Sequence, residues 1–309
     1  MQIKVLAVNT SEKKGTVKKP QDQITLDANG VIGDAHSGPW HRQVSLLATE
    51  SVKKFEKDAK REIKPGEFAE NITTSGIELH KLRPFDKLIG QNIELEVTQI
   101  GKKCHGDNCN IFKEVGNCVM PKEGIFARVL KGGTLQADDS FMYFPRTFKC
   151  QIITMSDRAY AGVYHDKSGP LLNKLSAEYF EKQQYPVEIS NLILPDDSRM
   201  LETTLHSSIG DSIDIVFITG GTGIGPKDIT PETVRKIIDK EIPGIMEMIR
   251  MKYGQGKPGA LLSRSVAGLA SKTLIYAIPG SPKAAKEYAD EIFKTFMHCV
   301  RMIEGIDSH

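Results

Sequence analysis

Ile213-Asp214-Ile215-Val216-Phe217-Ile218-Thr219-Gly220-Gly221-Thr222-Gly223-Ile224-Gly225-Pro226-Lys227-Asp228-Ile229-Thr230-Pro231-Glu232 carries more architectural information than any other segment of the chain. Its first six residues form a nearly unbroken apolar run rich in β-branched side chains, the pattern of a strand buried on both faces of a parallel sheet. At its far end Thr230 is placed to N-cap a helix, with Pro231 at the first helical position and Glu232 in the first turn. Between them lie four glycines in the six residues 220–225. Such a backbone can turn sharply and present bare N–H groups to a ligand. Loops of this kind, at the carboxyl end of a buried strand, are where open α/β sheets hold phosphorylated ligands. Two familiar phosphate motifs fail here. A P-loop ends in Gly-Lys-Ser/Thr where this chain has Gly225-Pro226-Lys227-Asp228, and the dinucleotide fingerprint needs a third glycine where Pro226 stands. The loop reads as an anion cradle with the Asp228 carboxylate at its rim; a tight turn that is glycine-rich for steric reasons is the alternative.

Working outward, strands and helices alternate through the second half. Strands are expected at 149–154, 187–194, 213–218 and 273–278, and helices at 169–182, 198–208, from Pro231, and over a closing segment with Tyr288, Ile292, Phe296 and Val300 on one face. This predicts an α/β doubly wound, mostly parallel sheet. Ser156 and Asp157 follow the first strand, Asp196 and Asp197 the second, the glycine loop and Asp228 the third, and Gly280-Ser281 the last. Strand ends in such a sheet share one edge, so these groups can converge on one cleft. Carboxylates beside a phosphate cradle make sense if Mg²⁺ bridges them, since bare carboxylates repel phosphate. As single residues, Asp196 and Asp228 can equally be turn and capping residues.

The first half reads differently. Strands are expected at 3–8, 42–48, 92–100 and 140–144, with one helix at 49–61, a β-rich, barrel-like pattern without regular strand–helix alternation. Functional residue types concentrate in three places: Gly33-Asp34-Ala35-His36 through Trp40, His41 and Arg42; Glu67-Phe68-Ala69-Glu70-Asn71; and Gly101-Lys102-Lys103-Cys104-His105, with Cys109 and Cys118 beyond. The lysines and His105 beside Cys104 favour its thiolate. A buried inert thiol is the alternative, and a zinc site of Cys104, His105, Cys109 and Cys118 is a third reading, although its spacing fits no C-x-x-C pairing. His36, Arg42 and Asn71 could line a pocket for an anionic ligand, or serve as local turn and strand contacts.

Composition sets limits. A chain of 309 residues suggests two domains. A formal charge of +2 provides no polyanion-binding stripe, so nucleic acid is not expected as a partner. No apolar run approaches the ~18 residues of a membrane span, and the N-terminus lacks the apolar region of a signal peptide. Five cysteines without a regular framework suit a reducing compartment, and a cytoplasmic location is expected.

Two resemblances then add to this reading. The three N-terminal motifs, over about residues 30–133, resemble the MOSC domain shared with molybdenum-cofactor sulfurases. That resemblance implies binding of the molybdenum cofactor or sulfur carriage on one cysteine, and the matching position is Cys104. The stretches 219–232, Leu262-Ser263-Arg264-Ser265-Val266-Ala267-Gly268 and Ile278-Pro279-Gly280-Ser281-Pro282-Lys283-Ala284 look like the signature of the MogA/MoaB family. The likeness implies a molybdopterin adenylyltransferase, transferring AMP from Mg-ATP to the terminal phosphate of molybdopterin. It further implies catalytic, metal-holding roles for Asp196 and Asp228, and a homotrimer formed through the C-terminal domain. Lys227 stands where the family usually has arginine. The expected organisation is a MOSC domain at 1–147 and a molybdopterin-binding domain at 148–309. Ser156, Asp157, Gly220, Gly221, Thr222, Gly223, Ser263, Arg264, Pro279, Gly280 and Ser281 are candidate ligand contacts of the second domain. Expected small molecules are ATP, Mg²⁺ and molybdopterin or the molybdenum cofactor, with no pyridoxal phosphate. A sulfur donor or a molybdenum-insertion protein is a candidate partner. A non-catalytic molybdopterin carrier is the alternative function.

Overall fold

The computed structural model describes residues 2–103 and 118–306; Cys104, His105 and Cys109 lie outside the described residues. The chain forms two compact units, one reaching to Arg146 and taking in Gly305, the other Thr147–Glu304.

The N-terminal unit is built on a closed barrel of seven strands. They are β1 (Gln2–Thr10), β5 (Val44–Ala48), β6 (Ile72–Ser75), β7 (Lys87–Ile89), β8 (Glu94–Ile100), β9 (Ile125–Lys131) and β11 (Ser140–Phe144). The order is β11-β7-β8-β9-β5-β6-β1, and β1 pairs back onto β11. All of these pairings are antiparallel except β5 with β6. Closure leaves these seven strands no free edge in the barrel wall. Short strand β2 (Lys19–Gln21) extends from β1, and β3 (Gln23–Asp27), β4 (Gly30–Val31) and β10 (Gly133–Gln136) form a separate sheet.

Alternation fills the barrel. Ile3 and Val5 point inward while Gln2 and Lys4 face solvent, until the register of β1 against β6 shifts between Val5 and Ala7. Beyond this bulge Val8 takes the inward place and Leu6 is left exposed. Strand β5 is buried along its whole length because Val44 and Leu46 join the barrel core, while Leu47 packs under helix Thr49–Ala59 with Val52 and Phe55.

The C-terminal unit is a six-stranded sheet in the order β13-β12-β14-β17-β16-β15. Strands β12 (Phe148–Met155), β13 (Val187–Leu194), β14 (Ile215–Thr219) and β17 (Thr273–Ile278) run parallel. Strands β16 (Val266–Ala270) and β15 (Lys240–Glu241) are antiparallel to their neighbours, so the sheet is mixed and the expected parallel run stops at β17. The cause is local: Ser271 and Lys272 are all that separates β16 from β17, and so short a connection joins only antiparallel neighbours. The sequence hid β16 because Val-Ala-Gly-Leu-Ala has little strand character. Its small residues serve packing, since a Cβ on Gly268 would meet Ile238 at 2.6 Å.

Helices cover each face of this sheet. On one face, Ile153, Val216 and Ile218 pack with Leu201 and Leu205 of helix Ser198–Gly210 and Val234 of helix Thr230–Ile237. On the other, Phe148 of β12 meets Phe180 of helix Ser168–Lys182 and Phe296 of helix Pro282–Ile303, with ring centroids 5.1 and 5.8 Å apart. Tyr288, Ile292, Phe296 and Val300 are all buried, as their spacing predicts.

Candidate functional site

The register of the parallel strands sets Ile193, Thr154, Thr219 and Ile278 side by side, so the segments that follow share one edge of the sheet. The glycine loop leaves β14 there. Gly220 and Gly221 have φ of +110° and +62°, the left-handed region that side chains other than glycine avoid. Space is also closed to a Cβ at both: it would lie 2.3 Å from the Met155 carbonyl oxygen at Gly220, and 2.5 Å from Thr230 Oγ1 at Gly221.

The carbonyls of residues 220–223 are all occupied. Thr230 Oγ1 donates to Gly220 O at 3.0 Å and Thr230 N to Gly221 O at 3.1 Å. Arg264 N donates to Thr222 O at 2.9 Å, and Arg264 Nε to Gly223 O at 2.6 Å. Arg264 further donates to Asp228 O at 2.7 Å and pairs with the Glu232 carboxylate. By contrast, the N–H groups of Gly221, Thr222 and Gly223 have no acceptor among the described residues. Four spent carbonyls and three uncommitted amides make a local concentration of positive dipole ends. Thr230 therefore does not cap the helix, as the sequence suggested. The N-cap is Ile229, and the Thr230 hydroxyl ties the loop instead. Arg264 is likewise spent on bracing the loop rather than on lining the cavity beside it.

That cavity measures about 430 Å³. It is lined by Gly220, Gly221, Thr222, Gly223, Asp228, Ser263, Pro279, Gly280 and Ser281, all expected from the sequence. The two loops touch: a Cβ on Gly280 would sit 3.2 Å from Gly220 Cα. Ser281 caps helix Pro282–Ile303, accepting from Ala284 N at 3.3 Å, so a helix N-terminus also adjoins the cavity. Asp228 curls over the loop, with Oδ2 accepting from Gly225 N at 2.7 Å.

Asp196 is held elsewhere on the same edge. Its Oδ2 accepts from Asp157 N at 3.2 Å, and Asp157 Oδ1 accepts from Asp196 N at 3.0 Å. Lys227 pairs with Asp157, a hydrogen bond that lowers the Asp157 pKa and raises that of Lys227. Ser156 is spent as the cap of helix Asp157–Tyr160, accepting from Ala159 N at 3.2 Å. Sequence reasoning missed the far wall of the cavity, which includes Ile249 and Tyr253 of helix Pro243–Gly254 together with Lys257, Glu287 and Tyr288. The Pro243-Gly244 start followed by Ile245, Met246 and Ile249 was the available signal for that helix. It also missed Asp166, which accepts from Thr154 Oγ1 at 2.7 Å and Ser168 N at 3.0 Å at the start of helix Ser168–Lys182.

In the N-terminal unit the first motif folds around a buried ion pair between Lys18 and Asp34, whose side chains are 0% and 1% exposed. Burial works to raise the Asp34 pKa, but hydrogen bonds from His36 and Lys18 outweigh it and hold the carboxyl well below the usual range. His36 Nδ1 lies 3.4 Å from Lys18 Nζ. Arg42 stacks over the Trp40 ring at 4.8 Å, and its Nε is buried without a partner. Asn71 is fully buried and its amide is committed, accepting from Ser45 N and Oγ and donating to Asn9 O at 3.2 Å. A polar recess of about 360 Å³ beside Gln23, Asn92 and Asp139 includes none of the sequence-flagged residues. Among the described residues no three or more His, Cys, Asp and Glu form a group that could hold a metal ion, and no helix is long and apolar enough to cross a membrane.

With this geometry in hand, comparison with known proteins is specific. Residues 151–298 match the probable molybdopterin binding domain, and residues 33–142 the MOSC domain. The molybdopterin adenylyltransferase of Helicobacter pylori (strain J99) is 36% identical over 161 residues, covering 52% of this chain and 90% of its own. That of Escherichia coli (strain K12) is 31% identical over 172 residues, covering 52% and 87%. The molybdenum cofactor biosynthesis bifunctional protein of Chlorobaculum tepidum is 33% identical over 168 residues, covering 54% and 51%. The adenylyltransferases match the C-terminal half. The chain thus belongs, through that half, to the molybdopterin adenylyltransferase family, here fused to an N-terminal MOSC domain.

Proposed function

We propose that the C-terminal unit transfers AMP from Mg-ATP to the terminal phosphate of molybdopterin. A phosphate oxygen of molybdopterin bonds to the α-phosphorus of ATP, the bond from that phosphorus to the bridging oxygen breaks, and pyrophosphate leaves. The observation that carries this reading is the imbalance of the glycine loop, whose carbonyls are taken by Thr230 and Arg264 while the amides of Gly221, Thr222 and Gly223 are free. Such a loop binds an anion with little reorganisation, and it lines a cavity large enough for a small-molecule ligand.

The donor set suits Mg²⁺, which keeps several waters and takes one or two carboxylates plus substrate phosphates rather than a full protein cage. Asp228 lines the cavity, and Asp196 has a second oxygen that accepts no hydrogen bond among the described residues. These two would hold the ion, which when bound neutralises charge on the phosphates. Lys227 pairs with Asp157, and Arg264 braces the loop through its hydrogen bond to Gly223 O.

The N-terminal unit is proposed to bind the cofactor or to pass sulfur to it through Cys104. Arg42, with its unpaired Nε, and His36 are the described groups that suit an anionic ligand there. A non-catalytic carrier is the second reading, favoured by one observation: Asp196 does not line the cavity. Pyrophosphate release decides between them. Release from ATP that requires both molybdopterin and Mg²⁺ is the expected result; tight molybdopterin binding without release makes the protein a carrier.

A further inference from the structure

A cation stands beside the carboxylates to which the metal role was given. Lys227 immediately precedes Asp228, its side chain is 75% exposed, and its ammonium pairs with Asp157. Asp196 attracts the same ammonium through space but makes no hydrogen bond with it. A lysine ammonium is a compact charge on a flexible stem, free to exchange one carboxylate for another. Resting on Asp196, it would cover the oxygen that a divalent ion needs and would repel that ion.

The order of the strands shows what keeps it away. Strands β13, β12 and β14 are neighbours in that order, and Asp196, Asp157 and Lys227 lie in the segments that follow them. Asp157 thus takes the middle place, and its two carboxylate oxygens have separate tasks. Oδ1 accepts from Asp196 N at 3.0 Å, while Oδ2 accepts from Lys227. In return Asp157 N donates to Asp196 Oδ2 at 3.2 Å, so the backbone of each residue fixes the carboxylate of the other. The remaining oxygen of Asp196 accepts no hydrogen bond among the described residues. Neither Asp157 nor Lys227 lines the cavity beside the glycine loop.

We propose that Asp157 is a positioning residue for adenylyl transfer, which steadies Asp196 with one carboxylate oxygen and keeps Lys227 off it with the other. The sequence suggests a ligand contact for Asp157, but both of its oxygens are committed within the protein. The inference rests on the adenylyl-transfer reading above and on the metal role given there to Asp196.

Asp157→Asn tests it with little disturbance, because the asparagine carbonyl still accepts from Asp196 N while its amide turns a donor toward Lys227. The full chain is titrated with α,β-methylene-ATP, which cannot release pyrophosphate, once with Mg²⁺ and once with EDTA in its place. Wild type should bind this analogue more tightly with Mg²⁺. In Asp157→Asn that gain should shrink by ~3–5-fold, the scale of one exposed ion pair. Binding without metal should hold or improve, because Lys227 is then free to meet phosphate. In a Lys227→Met background the same substitution should cost nothing, since no ammonium remains to be held.

A loss that persists beside Lys227→Met would make Asp157 a direct contact of ion or nucleotide and overturn the inference. An undiminished gain in Asp157→Asn overturns it too. A melting temperature that falls in Asp157→Asn and is not restored by Lys227→Met makes the residue structural, with the same consequence. Equal binding by wild type with and without Mg²⁺ overturns the inference alone, and pyrophosphate release still decides adenylyl transfer. A folded wild type that neither binds the analogue nor releases pyrophosphate overturns both.

Discussion

At the scale of single residues, Asp228 separates binding from catalysis. Its Oδ2 accepts from Gly225 N at 2.7 Å, a bond that an asparagine carbonyl can keep, so Asp228→Asn removes charge while preserving the turn. The fold should survive, molybdopterin should bind as well or slightly better, and single-turnover AMP transfer should fall by at least ~10²-fold, the scale for loss of a group stabilising transition-state charge. Asp196→Asn should act alike, and the double variant should fall short of the product of the singles if both serve one ion. Normal transfer with weakened molybdopterin binding would make Asp228 a loop-shaping residue only. Asp34 offers a stability test in the other unit. Its carboxyl is depressed in the folded state, so its contribution is present above the ordinary aspartate pKa of ~3.9 and is lost as pH falls below it. Asp34→Asn leaves Lys18 buried without its counter-charge and should destabilise by ~3–5 kcal/mol at neutral pH, read by denaturant unfolding. A loss under ~0.5 kcal/mol, the ordinary surface scale, would show that Lys18 finds another partner or water.

At the scale of elements, the glycine loop is a device held from two sides. Thr230 belongs to the helix that follows it and Arg264 to the segment before β16, so the loop's shape depends on a contact 41 residues away in the chain. Arg264 uses Nε, Nη1 and Nη2 on three different acceptors. Lysine keeps the charge but not the fork. Arg264→Lys should therefore weaken binding of molybdopterin by ~10-fold or more with little change in melting temperature, as expected when a preorganised cradle loosens. Unchanged affinity would show that Thr230 alone shapes the loop. Much of this element was legible beforehand: the buried strand, the glycine density and Pro231 are signals written within twenty residues. Arg264 was legible as a residue of interest but not in its role. A guanidinium near a glycine loop suggests a ligand contact until its three hydrogen bonds to the loop and its neighbours are seen.

At the scale of the whole molecule, the two units carry separate cores, the barrel around Ile3, Leu46 and Phe141 and the sheet around Phe148, Val216 and Ile275. Residues 147–304 made alone should fold cooperatively and keep any AMP transfer. A fragment that folds but is inactive, beside an active full chain, would mean that the N-terminal unit completes the site. Strand β13 ends the sheet with Leu192 and Ile193 40% and 39% exposed, an edge that suits association through the C-terminal unit. Light scattering should give a trimer, and Leu192→Lys with Ile193→Glu should give monomers; a wild-type monomer would remove this reading.

By itself the sequence determined the division into a β-rich half and an alternating half, the glycine loop, and the strand ends that share one edge. Those features rest on periodicity, turn chemistry and glycine density, which neighbouring residues dictate. Tertiary structure alone decided the rest. The bulge that hands the barrel interior from Val5 to Val8 depends on register against β6. The hidden strand β16 packs where Gly268 leaves room for Ile238, a neighbour 30 residues away in the chain. The Lys18–Asp34 pair and the unpartnered amides of Gly221, Thr222 and Gly223 depend on which polar atoms find partners once distant segments pack. A sequence names those atoms, but burial and hydrogen bonding between remote residues settle which of them remain free for a ligand.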